Sequence, residues 1–66
     1  MASLTDALAR QIALAAITEA AARQALAEIE VRAAGIQSAR TARAELSTAS
    51  RALAALIAQA EAEAQS

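Results

Sequence analysis

A single glycine, at position 35, stands near the middle of a 66-residue chain that contains no proline. On either side of it every local preference is helical. Alanine occupies 24 positions, and Leu, Arg, Glu and Gln make up much of the rest. These residues lose the least side-chain entropy on becoming helical. No segment alternates apolar and polar residues with the period of two that a half-buried strand needs. The fold class is therefore all-α, and the open question is what the glycine does.

One answer is a two-helix antiparallel hairpin. Gly35 then takes the left-handed position that ends the first helix, Ile36 makes the apolar contact that follows it, and Ser38 caps the second helix. The other is one long continuous helix, because a lone interior glycine costs only about 1 kcal/mol. The apolar spacing favours the hairpin. A stripe with steps of three and four runs through Leu8, Ile12, Ala15, Glu19, Ala22, Leu26, Ile29, Ala33 and Ile36. A second runs through Ala39, Ala42, Leu46, Ala49, Leu53, Leu56 and Ala60. Between Ile36 and Ala39 the step is three where four is due. In an unbroken coiled coil that would overwind the seam. A break at the glycine removes the problem.

The expected organisation is one hairpin over residues 1–66. The first helix spans about residues 4–34, the turn about 35–38 and the second helix about 39–64. Ser3 or Thr5 caps the first helix, with Asp6 near its positive end. Asp6–Arg10, Glu19–Arg23 and Glu28–Arg32 are acid-to-Arg pairs at the favourable i,i+4 spacing. The packing residues are Leu8, Ile12, Ala15, Ala22, Leu26, Ile29, Leu46, Ala49, Leu53 and Leu56, in alanine-rich, coiled-coil-like contact. Small seam residues let the backbones approach closely. Glu19 interrupts the seam. It either specifies register, as polar seam residues can, or turns out to Arg23. The segment 47–50 (Ser-Thr-Ala-Ser) reads as helix-surface filler, and the acidic C-terminal run as a solvated end.

The first helix carries apolar groups on a second face. Leu14, Ile17 and Val31 lie far from the Leu8/Ile12/Leu26 stripe at 100° per residue, and Ile57 joins them from the second helix. A helix that is apolar on more than one side is normally buried among several neighbours, and a hairpin supplies one. Only 13 large aliphatics and no aromatics are present, so a lone chain of this length has little core. With no Cys and no His, neither disulfides nor the usual zinc ligands can reinforce it. Partner subunits are the remaining remedy.

Composition also removes function classes. Without His or Cys, neither Ser–His nor Cys–His nucleophilic pairs exist. Glu28 and Glu30 point to different sides of a helix, as do Glu61 and Glu63. There is no glycine-rich phosphate loop. No enzyme activity, small-molecule substrate, metal or cofactor is expected. Six Arg, no Lys and seven acids leave a net charge of −1, which supports neither nucleic-acid binding nor adsorption to an anionic membrane. The uncharged runs 11–18 and 52–60 fall well short of the ~20 residues a span requires, and no basic signal segment opens the chain. A cytoplasmic location, or a particle assembled there, is expected.

The leading functional expectation is a structural subunit that self-associates into a homo-oligomeric bundle, ring or filament, with a phage or secretion-type particle as one setting. The alternative is a small regulatory or adaptor module that binds a different protein through the spare apolar face.

Overall fold

The computed structural model of the chain describes residues 6–33 and 35–65. It contains two helices, α1 (Asp6–Arg32) and α2 (Ile36–Gln65), and no strand among the described residues. Ser3 and Thr5, expected as caps, lie outside those residues, as do Leu4, Ala34 and Ser66.

The Cα atoms span 49 × 14 × 13 Å. A 30-residue helix such as α2 is about 45 Å long, so the rod is one helix in length and two helices in width. One continuous helix would reach roughly 90 Å; that alternative is excluded. The direction of packing follows from two side-chain contacts across the pair, Ser50 to Glu19 and Arg43 to Glu30. Each joins a residue before the turn to one at a similar distance after it. The hairpin is antiparallel.

The turn is built differently from the sequence expectation. α1 stops at Arg32, and Ala33, not Gly35, takes the left-handed conformation that ends it, with φ 52°. The Ala33 N–H donates to the Glu30 carbonyl at 3.2 Å, which tightens the last turn. Gly35 has φ 110° and its carbonyl accepts the first bond of α2, from the Ala39 N–H at 3.1 Å. It therefore occupies the N-cap position of the second helix. Ile36 is the first residue of α2 and is 77% exposed, so it makes no stapling contact. Ser38 lies inside the first turn of α2 and is not its cap. The cause is register: the half-buried line ends at Ile29 in α1 and resumes at Ala39 in α2. Residues 33 and 36 have no seam to join.

Two backbone substitutions test this turn. A Cβ placed on Gly35 meets nothing within 4 Å, so Gly35→Ala carries backbone strain alone and is expected to cost about 2 kcal/mol. Ala33→Gly relieves a left-handed alanine and is expected to add about 0.5 kcal/mol. Thermal unfolding followed by circular dichroism separates the two signs.

Burial follows the two stripes. Leu8 and Ala42 are buried, at 4% and 6% exposure. The half-buried positions of α1 are Ile12, Ala15, Glu19, Ala22, Leu26 and Ile29; those of α2 include Ala39, Leu46, Ala49, Leu53, Leu56 and Ala60. With Ser50 level with Glu19, counting outward from the turn sets large residues against small ones: Leu26 near Ala42, Leu46 near Ala22, Leu53 near Ala15. Alternation of this kind draws the helix axes together. The core it makes is only one seam thick.

Candidate interaction surface

Side chains outside the seam divide into two flanks and an outer face. On one flank, Arg43, Ser50 and Ile57 recur every seven residues along α2 and lie on one line. Arg43 reaches Glu30 at 3.5 Å, and both side chains are more than half exposed. An ion pair so wet contributes less than about 0.5 kcal/mol, and Arg43→Ala is expected to shift the melting transition by no more than that.

On the same flank Glu19 enters the seam. Its Oε1 lies 3.2 Å from an Arg23 guanidinium nitrogen, and its Oε2 accepts a hydrogen bond from the Ser50 hydroxyl at 3.2 Å. Glu19 therefore pairs with Arg23 within α1 and also ties α1 to α2 through Ser50. Ser50, assigned to surface filler, is half-buried and carries the interhelical contact. The signal for it was its place beside the seam residue Ala49, level with Glu19 in an antiparallel register. Of the three i,i+4 pairs, only Glu19–Arg23 closes; among the described residues Asp6–Arg10 and Glu28–Arg32 do not form ion pairs. Exposed pairs of this type are too weak to hold long side chains in place.

The opposite flank carries a shallow groove between the helices, lined by Thr18, Ala21, Ala25, Thr41, Ala44 and Ala52 among others. The Thr18 hydroxyl is engaged with the Leu14 carbonyl at 2.9 Å, and Arg40, Glu45 and Thr48 border the same groove.

The outer face of α1 holds the unpartnered aliphatics. Val31 is 86% exposed, Ile17 65% and Leu14 61%. Ile17 and Val31 stand two heptads apart on one line with Gln24 between them, and Leu14 lies on the adjacent line. Towards the turn the same face opens into a hollow lined by Gln24, Ala27, Glu28, Val31 and Arg32. Ile57 is the least exposed of the four candidates, at 42%, and the structure does not bring it to this face; it borders the Glu30–Arg43 flank.

No group of three or more metal-ligating side chains occurs among the described residues. Glu30 is occupied with Arg43, and Glu63 accepts from the Gln59 amide at 3.5 Å. No helix among the described residues is long and apolar enough to cross a membrane. Comparison with protein-family models, with curated proteins and with solved structures finds no match to this chain.

Proposed function

We propose that the chain is a non-catalytic structural subunit that self-associates through the outer face of α1, within the cytoplasm or in a particle assembled there. The observation that carries this reading is an imbalance of burial. Among the described residues two are buried, while Leu14, Ile17 and Val31 on the outer face of α1 are exposed. The chain of 6.7 kDa exposes 4884 Å², whereas a compact monomer of that mass would expose roughly 3,900 Å². The difference is on the order of what one partner contributes to an ordinary protein interface, about 800 Å². Monomeric proteins seldom leave large apolar patches uncovered.

Nucleic acid, membrane and small-molecule partners are not part of this proposal. The near-neutral charge offers no counterion release. A bundle, a ring and a filament all satisfy the reading, and a phage or secretion-type particle is a setting in which any of them would serve.

Light scattering after size exclusion, across a hundredfold range of concentration, tests it. The expected result is a mass at least twice that of the chain. A monomer at every concentration rejects self-association and turns attention to a foreign protein on the same face.

A further inference from the structure

The outer face of α1 is complementary to itself when reversed. From the N-terminal end it runs Arg10, Leu14, Ile17, Ala21, Gln24, Glu28, with steps of four, three, four, three and four. This is the spacing of a second helix-packing seam, off the α1–α2 seam and bordering the groove between the helices at Ala21. If a second copy of α1 is laid antiparallel on this face, with the crossing midway between Ile17 and Ala21, each position meets a different one. Arg10 meets Glu28 of the second copy. Ile17 meets Ala21. Leu14 falls level with Gln24 and the hollow whose floor is Ala27. Near the turn, Val31 falls level with Ala7 at the edge of the face. Large side chains thus face small ones or a depression, and each charge faces its opposite.

Parallel pairing would do the reverse. It would set Arg10 on Arg10, Glu28 on Glu28 and Ile17 on Ile17, combining like charges with crowding. Arg10 and Glu28 are also both available, because neither closes its i,i+4 partner within α1.

We infer that the occupant of this face is a second copy of the same chain, docked α1 to α1 in antiparallel orientation about a two-fold axis. This inference rests on the self-association proposed above and specifies its form. The interface is isologous, so each contact occurs twice and the assembly closes at a dimer instead of growing into a fibre. In the dimer α1 lies between α2 and the second α1, which accounts for its two apolar faces. Ile36 and Ile57 stay outside it.

Charge reversal provides the test, with sedimentation equilibrium as the readout and circular dichroism as the check on folding. Because every contact is duplicated, Arg10→Glu or Glu28→Arg alone is expected to weaken dimerisation on the order of 10- to 100-fold. The double variant, which restores opposite charges across the axis, is expected to return to within a few-fold of the original chain. Arg51→Glu, on α2 and away from the face, is expected to change nothing. Single reversals that dimerise as the original does, or a double variant that fails to recover, overturn the interface while leaving self-association standing. So does a mass above twice that of the chain. A parent chain that never associates overturns both.

Discussion

Replacing Ala42 by leucine is expected to destabilise the hairpin by about 1–3 kcal/mol, the range for overpacking. Ala42 is one of the two buried residues among the described ones and sits level with Leu26 across the seam. A leucine there meets Leu26 across the seam, so either the helices separate or the side chain turns aside into the hollow that Ala42 borders with Ala22, Ala25 and Ile29. Separation also loosens the neighbouring Leu46 and Ile29 contacts, because a seam of one layer has nothing behind it to absorb the shift. Propensity does not explain the loss, since leucine is nearly as good a helix former as alanine. Ala58→Leu provides the control. Ala58 is exposed on α2, and leucine there should leave the melting transition within about 0.5 kcal/mol. Both variants are compared at one protein concentration, because association raises apparent stability by mass action. Equal melting of the two would mean that the helices do not approach closely at Ala42.

That small and large residues alternate along the seam was readable from spacing alone. Steps of three and four along the chain fixed which residues line the seam, because a helix must present one stripe to its partner whatever the partner is. The position of the turn was less accessible. A residue with positive φ is needed to end one helix, and a flexible one is needed to begin the next; glycine suits both, and the sequence contains only one. The structure uses Gly35 for the second role and accepts a left-handed Ala33 for the first. That choice is governed by where Ile29 and Ala39 must meet across the seam, a tertiary requirement that local preference does not contain. The same holds for Ser50. Its polarity is ordinary in a helix surface, and its contact with Glu19 becomes visible only when the register of α2 against α1 is known. The ion pairs show the opposite error. Spacing permits three, but an exposed pair within a helix gains only a few tenths of a kcal/mol, too little to hold Asp6 on Arg10 or Glu28 on Arg32.

Ile17→Asp is expected to abolish association while leaving the helical signal of the hairpin intact. In the antiparallel dimer Ile17 lies close to the two-fold axis and meets Ala21 of the second copy, so one substitution places two carboxylates in the middle of the interface. Each would lose water without gaining a cation, since the nearest charges on the face, Arg10 and Glu28, are two turns away or more along α1. Desolvating an unpaired carboxylate costs several kcal/mol, and the burial of two isoleucines, roughly 2 kcal/mol each, is lost as well. Together these exceed a thousandfold in the dissociation constant. Within the monomer the change is mild. Ile17 is exposed and lies off the seam, so aspartate there gives up only its lower helix propensity, about 0.5 kcal/mol. Val31→Asp is the graded companion. Val31 stands at the edge of the face, where water still reaches it, and its substitution is expected to weaken association by about tenfold. A steep loss at Ile17 with a shallow one at Val31 places the centre of the interface between Ile17 and Ala21. Equal losses would move the centre towards the turn, and no loss at either would remove the outer face of α1 as a contact surface.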